Sequence, residues 1–448
     1  PAPPFLFIRV KSGPPAAEPM PAYFVELFTM NNHFRAFVRL FVLAVSPVLF
    51  TAVCSAGVPV KSTAAAENIA APAAVSTAIF SLGPLVDEKY DRGIALMYRL
   101  EFDKAQEQFQ DIIKADTSNP AGYFALAALS WWRYSQNFDV TADFKDLEDE
   151  FMRNADAAIK VCSERLDKKQ ALDQTYFFMG SAYGLKGRWY GVQRRWFKAY
   201  TNGNKGRKLL RKAVKANPEL YDAYLGLGIF DYFADTLPGM LKIPALLFIS
   251  GDKARGISEV RLALEKGRFF TLEARLFLVE ILTRHEKKFK EALVEVERLK
   301  AGDPSNLFFR LGGILTLIHA QEWQKAPDEC DKFLTDHKKN PSPGIAQQLS
   351  LIYLSAGDSY LALNKPREAA AWFTGGIAET AFPNKGWVTY CHLRRGQAMD
   401  MMGRREEAVA DYKAVLVRDN FWDSQKYAKA SAAKAPDFNE VYRQLMED

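Results

Sequence analysis

A twelve-residue interval between small residues, recurring along the chain, constrains what it can fold into more than any other feature. Gly357 is followed at that interval by Ala369, Gly396 by Ala408, and Gly93 by Ala105. Larger side chains flank these pairs at helical spacing, Tyr360 and Phe373 in one copy, Met399 and Tyr412 in the next. Asn364-Lys365-Pro366 and Gly403-Arg404 fall between the two halves and read as turns. Small residues let two helices approach closely, and aromatic rings fill the space beside them. A hairpin of this kind hides only one of its faces, so copies have to stack. The spacing predicts an all-α solenoid of about eight helical hairpins over residues 87–420, then capping helices over 421–448 with Pro436 between them.

The middle copies are longer than the rest. Ala127 to Ala155 is 28 residues, Gly180 to Gly206 is 26, and Gly228 to Gly256 is 28. The extra length falls at equivalent places, near 131–153, 187–205 and 231–255, so stacking makes the three insertions neighbours. They are aromatic: Trp131, Trp132 and Tyr134 in the first, Trp189, Tyr190, Trp196 and Tyr200 in the second, Tyr232 and Phe233 in the third. Arg188, Arg194 and Arg195 interleave with them. Aromatic and arginine side chains are enriched where partners bind, which makes these residues the candidate partner or ligand surface. The competing reading is that the rings are the packed core of a side lobe and the cations its solvated face.

Other chemistry is excluded by spacing. The formal net charge of +6 includes four basic and two acidic side chains within residues 1–56, leaving +4 on the remainder, too weak a field for nucleic acid. His285-Glu286 lacks a second histidine four residues on, and the five histidines are scattered. Gly226-Leu227-Gly228 lacks the third glycine of a dinucleotide loop and lies in a predicted helix. Residues 203–208 (GNKGRK) match a phosphate loop in composition only and read as a flexible, solvated turn. Cys162, Cys330 and Cys391 have no ligand spacing and read as small buried apolar residues. No catalytic, cofactor-binding or metal-ligating residue is expected.

The amino terminus reads as an address. Residues 1–29 are proline-rich with no helical or strand period, an artefactual or disordered extension before Met30. Residues 30–56 have the order of a signal peptide: Arg35 and Arg39, an uncharged run over 40–53, then small residues from Cys54 to Ala56. That run of fourteen is short of the roughly 20 residues a membrane-spanning helix needs. Retention as an anchor and lipidation at Cys54 are the alternatives to cleavage. Residues 57–86, rich in Ala, Val, Ser and Thr, read as a linker. The expectation is export to a bacterial periplasm or cell envelope, with any membrane association made through this segment.

The copies around Gly357 and Gly396 resemble the tetratricopeptide repeat, a helix-turn-helix unit of about 34 residues. Ala292 and Ala326 stand one such period apart, and the resemblance covers most of 87–420. It implies a non-enzymatic scaffold whose concave helices hold a protein or peptide. A shorter stretch, Leu237-Pro238-Gly239 followed by Gly251-Asp252-Lys253 and Gly256, is similar to a segment of tetratricopeptide-like families that include the T-component of periplasmic solute transporters and a eukaryotic repeat family. The alternative function is therefore the ligand-binding component of a transport system, with an aromatic pocket formed by the elongated middle repeats. A cavity of several hundred cubic ångströms between the insertions would mark it.

Overall fold

The computed structural model describes residues 81–136, 144–236, 251–379 and 385–447. The extension, the signal peptide and most of the linker expected from the sequence lie outside these residues. At the start, Asp87 accepts hydrogen bonds from Ser81 Oγ at 2.6 Å and Leu82 N at 2.8 Å, and Pro84 presets the first helical φ. The chain then runs through helical hairpins. α1 (Pro84–Tyr98) pairs with α2 (Phe102–Ala115), α3 (Pro120–Gln136) with α4 (Lys145–Asp167), α5 (Leu172–Val192) with α6 (Trp196–Ala216), and α7 (Asp222–Thr236) with α8 (Lys253–Lys266). α9 (Thr271–Glu280), extended by a π-helical turn at Ile281–His285, precedes α10 (Phe289–Gly302), and α11 (Leu307–His319) precedes α12 (Ala326–Lys339). After the short α13 (Pro343–Ala346) come α14 (Leu349–Ala362) with α15 (Pro366–Ala378) and α16 (Lys385–Met401) with α17 (Arg405–Leu416). α18 (Ser424–Ala433) and α19 (Phe438–Glu447) end the chain, with Pro436 between them. Eight stacked hairpins without a strand among the described residues make this an all-α, tetratricopeptide-like solenoid.

One turn geometry is used again and again. Leu100, Arg194, Lys287, Gln321, Asn364 and Gly403 each carry a positive φ, and each ends the first helix of its hairpin. In five of these turns the amide of the next residue donates five residues back, as Glu101 N does to the Leu96 carbonyl at 3.0 Å and Arg404 N to that of Met399 at 2.8 Å. This left-handed cap satisfies carbonyls that the helix end would leave open. Between hairpins the stop signals act as their chemistry suggests. Asn119 accepts from Ala121 N at 3.0 Å, and Asn306 accepts from Phe308 N and Phe309 N at 3.0 and 3.3 Å, starting α3 and α11.

Within hairpins the glycines meet the facing helix in two ways. In the outer copies a ring lies over a glycine: Phe109 over Gly93, Phe373 over Gly357, Tyr412 over Gly396. In the long middle copies backbone meets backbone. A Cβ on Gly206 would fall 2.7 Å from the Gly180 carbonyl, and one on Gly228 would fall 2.6 Å from that of Gly256. The expectation of a solvated turn at 203–208 is corrected here, because this stretch lies inside α6. Two interior glycines weaken a helix by about 1 kcal/mol each, but they let α6 lie directly on α5. In the first two of these copies the added residues lengthen helices: α4 has 23 residues and α5 and α6 have 21 each. In the third, α7 and α8 keep 15 and 14, and residues 237–250 of the expected insertion lie outside those described.

Stacking curves the array until its start meets its later repeats. Arg268 binds Asp91 through both guanidinium nitrogens at 3.0 and 2.6 Å, and Arg99 pairs with Asp303 at 2.9 Å. The Tyr98 carbonyl accepts from Asn306 Nδ2 at 3.3 Å. Tyr90 meets Phe269 edge-on at 5.2 Å, and Trp132 meets Phe308 at 5.4 Å. A Cβ on Gly344 in α13 would touch Leu100 in the first turn. The inner faces of repeats one and two are therefore joined to those of repeats five and six. No described helix is long and apolar enough to cross a membrane.

Candidate functional site

The closed array leaves a cavity of about 670 Å³ at its centre, walled by α1, α3, α5, α6, α7 and the start of α9. The wall is largely apolar, with Tyr90, Met97, Phe124, Leu225, Phe230, Phe269 and Phe270 among its members. Gly184, Gly187, Gly191 and Gly203 face it from α5 and α6, and a Cβ on Gly184 would meet nothing within 4 Å. The glycines that hold these helices together also widen the space beside them.

Local chemistry sets the aromatic wall. Buried Asp222, at the start of α7, accepts from the backbone amides of Arg268, Phe269 and Phe270 at 2.9, 2.7 and 2.7 Å. Its carboxylate therefore orders the turn that presents Phe269 and Phe270 to the cavity. Phe270 in turn packs on Phe124 and Phe177, with centroids 5.8 and 5.3 Å away.

Polar groups enter the wall at two places. At one, Glu273 accepts from Tyr98 Oη at 2.8 Å and from Arg188 Nη1 at 3.0 Å. The Arg188 guanidinium lies 4.6 Å from the centre of the Trp131 ring. Burial, followed by the Glu273 charge, raises the Tyr98 phenol well above its ordinary value, so it remains a hydrogen-bond donor. Arg188 Nε and Nη2 are buried without a hydrogen-bond partner among the described residues. At the other place Arg207 donates to Asp231 at 2.6 Å and lies over Phe230 at 4.7 Å. Burial lowers the Arg207 guanidinium, an effect the Asp231 carboxylate opposes. Asp231 also accepts from Arg255 Nε at 2.6 Å. Nearby Glu259 is pushed up to about 7, first by burial and then by Asp231.

The candidate residues divide. Trp131, Trp132, Arg188, Trp196, Tyr200 and Phe233 line the cavity. Trp189 is buried in the core between α3, α4 and α5, stacked on Phe151 at 4.2 Å and packed on Tyr134 at 4.8 Å. Tyr232 belongs to a second apolar cluster and donates to Glu286 at 2.7 Å. Tyr190 reaches Met152 Sδ at 3.7 Å, and exposed Arg195 pairs with Glu148 at 3.1 Å beside it. Arg194 is the exposed left-handed residue of its turn. The wall residues from α1, from the turn before α9 and from α9, Tyr90, Tyr98, Phe269 and Glu273 above all, were not singled out by sequence. No signal in the insertions points to them, because they come from repeats distant along the chain. Cys162, Cys330 and Cys391 are buried, and burial pushes the Cys162 thiol up to about 12. Among the described residues no cluster has the make-up of a metal site.

No protein-family model and no curated protein matches the chain. Among solved structures it is similar to a tetratricopeptide repeat protein from Parabacteroides merdae, at 11% identity over 81% of this chain and 100% of that one, with a TM-score of 0.26. It is similar to a Rap protein complexed with Competence and Sporulation Factor at 12% identity, covering 81% of this chain and 99% of the other, TM-score 0.37. Aspartyl phosphate phosphatase F from Bacillus subtilis matches at 14% identity over 83% and 96% of the two chains, TM-score 0.41.

Proposed function

We propose that this chain is a non-enzymatic binding protein of the cell envelope that holds an apolar small molecule in its central cavity. The observation that carries this reading is the cavity itself. Its volume of about 670 Å³ lies within the roughly 300–1,000 Å³ of small-ligand sites, and a few convergent polar groups interrupt an aromatic wall in the manner of such sites. Tyr98, Arg188 and Glu273 would orient one polar end of the ligand, and the rings would cover the rest. Protein binding, the role that a tetratricopeptide-like scaffold suggests, is the second reading. It is favoured by the concave face of α14 and α16, which already holds a helix of this chain. The envelope location rests on the order of residues 30–56.

The test uses Gly184→Phe, which puts a ring into the open space beside α5 without displacing backbone. Titration with an environment-sensitive fluorescent fatty acid should show saturable one-to-one binding to the wild type. At least tenfold weaker binding is expected for the variant, at unchanged helicity and Tm. Equal binding by the two proteins would overturn the cavity assignment.

A further inference from the structure

The hairpin of α5 and α6 concentrates positive charge. Between Asp173 and Glu219 the chain has eleven basic residues and no acidic one. Four of them are held by carboxylates from other helices: Lys186 by Asp156, Arg188 by Glu273, Arg195 by Glu148 and Arg207 by Asp231. Six others, Lys198, Lys205, Lys208, Arg211, Lys212 and Lys215, stand exposed along α6 and pair with no carboxylate among the described residues.

The packing of α6 puts these cations on one face. Gly206, Leu210 and Ala213 are buried where α6 packs on α5 and α7. At about 100° per residue the six cations fall on the opposite side, and Lys208 and Lys215 lie within about 20° of the line through Phe197. From Lys198 to Lys215 the stripe runs for roughly 26 Å. The ammonium groups of Lys198, Lys205 and Lys212 sit over the Tyr190, Tyr183 and Tyr176 rings of α5 at 5.4, 5.4 and 5.3 Å, which steadies the stripe without neutralising it. At its amino end stands Phe197, 79% exposed and yet part of the cavity wall. Trp196 and Tyr200 line the same cavity, which therefore reaches the surface where the stripe begins.

Cations alone would suit any anionic surface, and the exposed ring selects among them. Phosphate backbones and acidic side chains give a phenylalanine little to bury against. The boundary between lipid headgroups and acyl chains takes in such a ring, while lysine stems keep their charge among the headgroups.

We propose that the outer face of α6 docks on an anionic lipid bilayer, with Phe197 entering the headgroup region and the lysines lying on the headgroups. Docking sets the mouth of the cavity against the bilayer, but it does not depend on what the cavity holds.

The test is co-sedimentation of the full chain with vesicles of phosphatidylcholine containing one-quarter phosphatidylglycerol, and with vesicles of phosphatidylcholine alone. The wild type should bind the anionic vesicles at least tenfold more tightly, and added salt should erode the difference. Lys208→Glu with Lys215→Glu should weaken binding to the anionic vesicles at least tenfold, since each cation near such a surface is worth about fivefold. Phe197→Asp should weaken it at least fivefold. Lys429→Glu with Lys434→Glu, at exposed positions of α18, makes the same change in net charge and should leave binding within twofold of the wild type. Equal loss from the two double variants, or no loss from either α6 variant at unchanged helicity, would overturn the proposal, because the overall charge or residues 1–56 would then carry the binding. Tighter binding to a short DNA duplex, lost in Lys208→Glu with Lys215→Glu, would overturn it as well and make the partner a nucleic acid.

Discussion

Glu280 sits at the end of α9 with one carboxylate oxygen buried and unpartnered. Burial, only partly offset by Arg284 and Arg188, pushes its carboxyl up to about 8. The folded protein therefore keeps a proton that the unfolded chain loses near pH 4.5. Stability from this group is fully present below that pH and is lost as pH rises to about 8. His319 works in the opposite sense at lower pH. Burial, then Arg284, holds it down to about 4, so its contribution falls as pH drops below 6.5. Glu280→Gln should flatten the decline toward pH 8 and stabilise the protein there by on the order of a few kcal/mol. Urea unfolding of both proteins across pH 6.5–9 checks this, and parallel profiles would refute it. Nothing in the sequence marks Glu280, because the hydrophobic pattern of α9 runs through it and burial alone makes it unusual.

Glycine has two separable roles in the middle hairpins. Gly206 and Gly180 let α6 and α5 touch through their backbones, whereas Gly184 on the same helix faces open space. Gly206→Ala should therefore destabilise the protein by about 1–3 kcal/mol, as overpacked sites do. Gly184→Ala should be neutral or stabilising by up to about 1 kcal/mol, the gain in helix propensity. Thermal unfolding of the pair decides the matter, and equal effects would show that α5 and α6 do not meet as described. At this scale the sequence was informative. The intervals from Gly180 to Gly206 and from Gly228 to Gly256 named residues that do touch, because each hairpin is a local structure whose crossing point depends on helix lengths alone. The composition of 203–208 misled for a related reason: glycine is read as a turn residue until a neighbouring helix gives it a packing role.

The array behaves as a closed body, and this has a consequence for its dynamics. An open solenoid loses stability next to a lesion and nowhere else, because each repeat contacts only its neighbours. Phe309 in α11 contacts Tyr98 in α1 across the closure, with ring centres 6.4 Å apart. Phe309→Ala should therefore lower hydrogen-exchange protection in α1 as well as in α10 to α12, read by mass spectrometry. Protection in α1 that stays at the wild-type level would mean the closure contributes nothing.

The same scale explains what was legible. Of the aromatic residues singled out, Trp131 and Trp189 look alike in sequence, yet one lines the cavity and the other fills the core between α3, α4 and α5. Their roles are set by how far α3, α5 and α1 are rotated about one another, which no spacing within a repeat encodes. The sequence by itself determined the helices, their pairing into hairpins and the order of stacking, because those depend on residues close along the chain. Tertiary structure alone decided that repeat one meets repeats five and six, that Tyr98 and Glu273 join Arg188, and that α19 turns back onto α14 and α16. Those outcomes come from a small rotation at each repeat, summed over the array, and such a sum is fixed only when all the interfaces are packed together.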